Sequence, residues 1–567
     1  MNKDLTPLLS VFRLSVSFTR PTPQLALSEI DFSVQKNSII GIVGESGSGK
    51  SLTAMSIMGL LDTSHIEVSG GIKFEGETIF PNHPKRVRGL RGKEIAMIFQ
   101  DPMTALNPAK RCGGQVDEML MLQLGLSREK AKAKTLELFK QVKLPNPATI
   151  YRRYPHQLSG GQMQRVMIAM AISCEPKLLI ADEPTTALDV TVQKDIIELL
   201  KEIQLKTQMS MIFISHDLAL VSEIAHEILV MYQGKIVEKG SPEAIFINPQ
   251  DEYTKALISA RPQGNLRLKS LATVASIKDK SFTPEILSAA ARAAKHQQIY
   301  LKEPLLRVHN LTKAFYQKPF LFGKQQMTKA VDEVSFSVFE GETVGLVGES
   351  GCGKTTLVKT LLALEKASSG QVFYKGRDIT RLPSAQWRAL RKDIQIIFQD
   401  PFSSLNPKMT IGDCILEPMI VHGIGASSQN RKQRLNHLLD QVGLDESYAT
   451  RYPHQLSGGQ RQRVGIARAI ALEPKIIVCD ESVSALDISV QAQVLNLLNT
   501  LKDNFGFTYI FISHDLSVVQ YMSDQLLVMQ NGRLVEIGDA DEIYAMPKSQ
   551  YTKSLIGAIP KGISKPK

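Results

Sequence analysis

The sequence predicts an α/β protein made of two tandem copies of one domain, and three observations predict it. A Gly-x-x-x-x-Gly-Lys-[Ser/Thr] loop occurs twice, at 44–51 and 348–355. A Leu-Ser-Gly-Gly-Gln string follows each loop, at 158–162 and 456–460. Further landmarks recur at one constant spacing: 154–162 against 452–460, Asp182-Glu183 against Asp480-Glu481, and His216-Asp217 against His514-Asp515. A period this long marks duplication of a whole domain, not a solenoid repeat.

At 567 residues the chain exceeds one ordinary domain of about 100–200 residues. The reading is a first domain at 1–262, a linker at 263–303 and a second domain at 304–567. An apolar fraction of 43% and a charged fraction of 22% are those of a soluble globular protein. No apolar run reaches the roughly 18 residues of a spanning helix. The apolar stretch 5–18 is cut by Arg13 and lacks a small-residue cleavage site, so no secretory signal is read. Five scattered cysteines form no CxxC pair. They point to a reducing cytoplasm and exclude a zinc or disulfide framework. The net charge of +11 is spread along the chain, which favours a solvated basic surface over nucleic-acid binding.

Within each half the expected order is strand, Gly-rich turn, helix. Residues 38–43 form a continuous apolar run of strand length, and 51–61 follow with helical spacing. Runs at 178–181 and 211–214 read as buried strands with polar carboxyl ends, where α/β sheets place ligands. Their counterparts are 343–347, 476–479 and 509–512. The linker predicts one short helix: Thr283 as N-cap, Pro284 and Glu285 in the first turn, then the Ala-rich run 288–294. A docking element is the other reading of this segment.

The first loop is Gly44, Glu45, Ser46, Gly47, Ser48, Gly49, Lys50 and Ser51. Its glycines let backbone N–H groups wrap phosphates without a Cβ clash, and the next helix aims its positive end at the anion. Lys50 is expected on the β- and γ-phosphates, and the Ser51 hydroxyl on Mg²⁺. The second loop is Gly348, Glu349, Ser350, Gly351, Cys352, Gly353, Lys354 and Thr355, followed by Thr356. Asp182 and Asp480 close apolar runs, as Mg²⁺ carboxylates should. Glu183 and Glu481 follow at once and are placed to orient or deprotonate an attacking water. His216 and His514 close the next strand, within reach of a γ-phosphate.

These residues resemble the ATP-binding-cassette family over almost the whole of both halves. The signature string matches without change, at Ser159, Gly160, Gly161 and Gln162 and at Ser457, Gly458, Gly459 and Gln460. The glutamine loop matches Gln100 and Gln399, which the resemblance gives to catalysis and to Mg²⁺. The D-loop matches 187–189 and 485–487, and the adenine-stacking aromatic matches Phe18 and Phe315. The resemblance implies a helical subdomain and an N-terminal antiparallel β region in each domain. It also implies that the cassettes close head to tail on ATP. One site joins Lys50, Gln100, Asp182, Glu183 and His216 to Ser457 and Gly459. The other joins Lys354, Gln399, Asp480, Glu481 and His514 to Ser159 and Gly161. One departure is Ser482-Val483 where the first copy has Pro184-Thr185, with the chemistry-bearing residues kept.

Three details narrow the resemblance to the dipeptide/oligopeptide/nickel import ATPases in their fused two-cassette form. They are the Gly-Glu-Ser-Gly-[Ser/Cys]-Gly-Lys loops, the Phe-Gln-Asp-Pro-(x)3-Leu-Asn-Pro strings at 99–108 and 398–407, and the Tyr-Thr-Lys tails at 253 and 551. The implied partners are two integral membrane permease subunits and a periplasmic or extracellular solute-binding protein. The implied place is the cytoplasmic face of the membrane, and the implied cargo a peptide or a glutathione-like molecule, with nickel the alternative. Met119, Leu120, Met121 and Leu122 read first as helical core and second as a permease groove. The rival class is a soluble tandem ATPase acting on ribosomes or nucleic acid. Its members carry a long charged helical linker or zinc-binding CxxC pairs, and this sequence has neither.

Overall fold

The structure, a computed structural model, describes residues 6–19, 23–62, 64–81, 84–186, 188–262, 267–317, 326–400, 404–483, 486–560 and 562–563. The D-loop residues Ala187 and Ala485 and the glutamine-loop residue Pro401 lie outside them.

Each half carries two sheets. In the first, an antiparallel sheet runs Gln24–Val34, Leu9–Phe18, Ile66–Phe74, Glu77–Phe80. Against it packs a six-stranded sheet in the order Lys235–Gly240, Glu227–Tyr232, Ile39–Val43, Ser210–Ser215, Leu178–Asp182, Ile95–Ile98. All its neighbours pair in parallel except the Lys235–Gly240 edge. The second half repeats both orders. The parallel strands are buried on both faces, which explains their unbroken apolar runs. Ile40, Ile42, Ile180 and Ile212 face the antiparallel sheet. Ile39, Val43, Leu179 and Phe213 face the other way, towards the helices. Those helices, Cys112–Leu124, Arg128–Gln141 and Gly160–Ile172, form the expected helical subdomain.

The expected strands all form, each within a residue or so of its sequence limits. The helix expected at 51–61 is shorter. It spans Lys50–Met58 and stops at Gly59, whose φ of 59° is the left-handed cap that glycine adopts without strain.

The linker helix is the main correction. It spans Ala289–Tyr300, and its N-cap is Ser288, not Thr283. Residues 285–287 are extended and pair with 267–269, through Lys269 N–H to Glu285 O and Leu287 N–H to Arg267 O, both 2.8 Å. That pairing holds the Thr-Pro-Glu run out of the helix. A second short helix, Val274–Lys278, was not expected.

The segment also docks on the second cassette. Leu271 is buried in that cassette's core, and Asn496 both donates to and accepts from its backbone at 2.8 Å. Arg292 reaches Asp539 and Asp541, each at 2.8 Å, and His296 lies 3.3 Å from both Asp524 and Asp539. Tyr300 donates to Glu342 at 2.9 Å.

Candidate active sites

Strand Ile39–Val43 delivers the first phosphate loop and helix Lys50–Met58 leaves it. Gly49 caps that helix at φ 103°, and a Cβ there would meet Leu27 Cδ2 at 2.3 Å. Gly353 repeats this at φ 111°, with Ala330 O at 2.1 Å. Both the backbone conformation and the space therefore require glycine. Lys50 is buried. Its Nζ donates to Gly44 O and Glu45 O, both at 2.8 Å, and stands 3.8 Å from Glu183 Oε1. Lys354 makes the same bonds at 2.6 and 3.0 Å. Burial pushes the Lys50 ammonium below the usual lysine range, against the pull of Glu183, Asp487 and Asp182.

Strand Leu178–Asp182 carries the two carboxylates. Asp182 accepts from Ser51 Oγ at 3.1 Å. Burial raises Asp182 to about 6, with the Ser51 bond opposing and the Glu183 charge adding. Asp480 is likewise raised to about 6 by burial and by Glu481. Glu183 has φ 46° and Glu481 φ 47°. For a residue with a side chain this is a costly conformation, of a kind that persists where surrounding structure enforces it. The near-identity of the two angles shows that Ser482, standing where the first copy has Pro184, leaves the glutamate's left-handed φ unchanged.

Each glutamate is held alike. Glu183 Oε2 accepts from Gln100 Nε2 and Thr186 Oγ1, both at 2.9 Å, with His216 Nδ1 at 3.4 Å. Glu481 Oε2 accepts from Gln399 Nε2 at 2.7 Å, with His514 Nδ1 at 3.6 Å. Burial would raise Glu183, but the bond and charge of His216 and then Lys50 outweigh it and hold the carboxylate ionised. The pairing raises both histidines despite their burial. Lysine, glutamine, acid and histidine, distant in sequence, thus meet at the carboxyl ends of adjacent strands.

Ser159 and Ser457 cap the helices Gly160–Ile172 and Gly458–Ile470, each in a reciprocal capping box with Gln162 or Gln460. The serine and first glycine of each string lie exposed at the surface. Phe18 ends its strand paired with Gln24 and Ile66. Phe315 is exposed, with Lys313 Nζ 4.8 Å from its ring centre.

The cassettes meet through the segments that follow their acidic strands. Thr191 of the first donates to Glu349 of the second phosphate loop at 3.0 Å. The charge of Asp487 acts on Lys50 and His216, and that of Asp189 on His514.

The Tyr-Thr-Lys tails make one contact that recurs in both copies. Tyr253 of the first tail accepts from Glu45 N–H at 2.9 Å, and Tyr551 of the second from Glu349 N–H at 2.9 Å. Tyr253 is fully buried and stacks on Tyr232, with ring centres 4.3 Å apart. The tail thus clips the phosphate loop behind it.

The family model described as ABC transporter matches residues 27–186 and 331–484. The chain belongs to the ABC transporter family. A second model, oligopeptide/dipeptide transporter, C-terminal region, matches residues 237–282 and 535–565 of this ABC protein. Tyr253 and Tyr551 fall inside those tails. The chain is 44% identical over 574 residues to the glutathione import ATP-binding protein GsiA of Escherichia coli (strain K12), covering 98% of this chain and 90% of the relative. It is 43% identical over 566 residues to the protein of the same name from Pectobacterium atrosepticum, covering 97% and 89%. The ABC protein is therefore an ATP-binding, ATP-hydrolysing subunit of the oligopeptide/dipeptide transporter class. Nothing in these matches favours the ribosome or nucleic-acid alternative.

Proposed function

We propose that the chain drives import of peptides or glutathione-like molecules by closing its two cassettes on two ATP molecules. Glu183 and Glu481 orient and deprotonate the attacking water. Gln100, Gln399, His216 and His514 hold those glutamates, and the histidines contact the γ-phosphate. Lys50 and Lys354 exchange their loop carbonyls for phosphate oxygens. Ser457 with Gly459, and Ser159 with Gly161, complete the opposite sites through helix N-termini. ATP favours closure because only the closed pair satisfies its phosphates, and hydrolysis removes that preference.

Mg²⁺ fits the residues present. Ser51 and Asp182 already share a hydrogen bond beside the loop, and both are oxygen donors. Among the described residues no cluster of three or more His, Cys, Asp or Glu could hold a metal. Mg²⁺ commonly takes one or two protein ligands and fills its shell with water and phosphate. Ser51, Asp182 and Gln100 would hold it in one site, and Thr355, Asp480 and Gln399 in the other, where it neutralises charge on the phosphates.

The partners are two membrane permeases and a solute-binding protein, and the place is the cytoplasmic membrane face. No helix among the described residues is long and apolar enough to cross a membrane. Apolar side chains stand exposed in each glutamine-loop string and near the end of the helix that follows it: Phe99, Met103 and Leu122 in the first cassette, Phe398, Ile420 and Val421 in the second. Leu120 lies in the helical core while its neighbour Leu122 points outward, so the two readings of that run divide residue by residue. These patches suit an apolar permease helix.

The matched grip on Glu183 and Glu481 carries this reading. Glu183→Gln and Glu481→Gln should each silence their own site and about halve steady-state ATP turnover, and the double variant should lower it at least about 100-fold, the low end for loss of a general base. Chelation of divalent metal should abolish it. Near-normal turnover in either single variant would sink the two-site assignment. For the cargo, ATPase of the complex with its permeases and binding protein should rise with peptides or glutathione and stay flat with nickel.

A further inference from the structure

Among the positions at which the two tails differ, one lines the same cavity as His216 and His514. After Tyr253 and Tyr551 the copies align residue for residue, and Arg261-Pro262 stands against Ile559-Pro560. Arg261 Nη1 donates to Asp217 Oδ1 at 2.9 Å. Asp217 follows His216 and caps helix Leu218–Ser222 by accepting from Ala219 N–H and Leu220 N–H. Asp515 does the same for helix Leu516–Met522, next to His514.

These groups are not in separate places. Arg261, Asp217 and Asp515 line one small cavity of about 90 Å³ between the cassettes, and His216, His514 and Ile559 line it too. Burial would lower Arg261, but Asp217 and then Asp515 outweigh it and hold the guanidinium firmly charged. One cation, bonded to Asp217 of its own cassette, therefore shares a cavity with Asp515, the capping carboxylate of the other. Without it those like charges would face each other across the interface and oppose its closure. A planar guanidinium with five donors can serve two carboxylates at once, which a single ammonium does less well. Ile559, on the same cavity, brings no charge, so the link is built from one side only.

We propose that Arg261 is a positioning residue that couples the two ATP sites by tying the His216 turn to the His514 turn through Asp217 and Asp515. It rests on the site assignment above. Removing the cation weakens the closed pair, so more ATP is needed to close it, while the catalytic groups stay in place.

A double-mutant cycle on the full chain tests this, with ATPase measured across ATP concentration for Arg261→Ile, Asp515→Asn and both. Isoleucine already occupies the matching place in the second copy, and asparagine keeps the helix cap. Arg261→Ile should raise the KM for ATP at least about 5-fold, the low end of coupling between sites, with kcat within about 2-fold. In the Asp515→Asn background the same change should move KM less than about 2-fold. Arg261→Lys should recover part of the loss. An unchanged KM in Arg261→Ile overturns the proposal. So does an undiminished effect in the Asp515→Asn background, which would mean that Arg261 serves its own cassette only. Should Arg261→Ile not fold, Arg261→Gln carries the same cycle. A flat cycle in a protein that still loses turnover on Glu183→Gln sinks the coupling and leaves the site assignment standing.

Discussion

Tyr253 shows how one hydroxyl can govern a phosphate loop. The Glu45 N–H sits at the loop's first turn and finds its acceptor in the tyrosine oxygen. Tyr253→Phe keeps the ring and its stacking on Tyr232 but strips that acceptor. An amide left without a partner costs about 1–3 kcal/mol. The expected result is a KM for ATP raised several-fold, with kcat nearly kept, because Lys50 and Glu183 are untouched. Tyr551 is only half-buried, so water can replace its hydroxyl and Tyr551→Phe should have the smaller effect. Equal KM values for Tyr253→Phe and wild type would show that the loop holds its shape unaided. The glycines, lysines and acids of the site were legible as residues because their chemistry is local. The tyrosine clip was not, since its partner lies far away along the chain.

The linker behaves as an element of the second cassette. Its helix Ala289–Tyr300 presents Arg292, His296 and Tyr300 to Asp524, Asp539, Asp541 and Glu342, with Lys502 bonded to Asp524 at 3.0 Å. Asp524 and Asp539 hold His296 above the usual histidine range, against burial and the nearby Arg292. A histidine raised by folding contributes stability that is complete below its unfolded value of about 6.5. That contribution is lost as pH climbs through the higher folded value. Wild-type thermal stability should therefore fall between mildly acidic and mildly alkaline pH by more than that of His296→Asn. Parallel melting profiles for the two would remove His296 from the clamp. Cap and proline signals suggested a helix beginning at Thr283. Pairing of 285–287 with 267–269 overrides them, and Ser288 supplies the cap a turn later.

In the crossed arrangement proposed above, fusion of the cassettes would keep each signature string near the site it completes, at a concentration set by the chain and not by dilution. The crossed assignment has a direct consequence for double variants. Ser457→Asp keeps a good helix N-cap but sets a negative charge against a γ-phosphate. Added to Glu183→Gln, it strikes the site already lost and should lower turnover less than about 2-fold. Added to Glu481→Gln, it strikes the surviving site and should lower turnover at least about 10-fold further. The reverse pattern in an ATPase assay would mean that each string serves its own cassette.

The order of loops, strings and acids along the chain sufficed to establish two ATP-binding cassettes, and it pointed to candidate residues that the fold then gathers at the strand ends. Those features depend on short-range chemistry: left-handed glycines, helix caps, and apolar runs that end in a carboxylate. The grip of Tyr253 on Glu45, the docked linker and the bond of Arg261 to Asp217 each join residues distant in sequence. Such pairs exist only once packing has set the distance and excluded the water that would otherwise satisfy them.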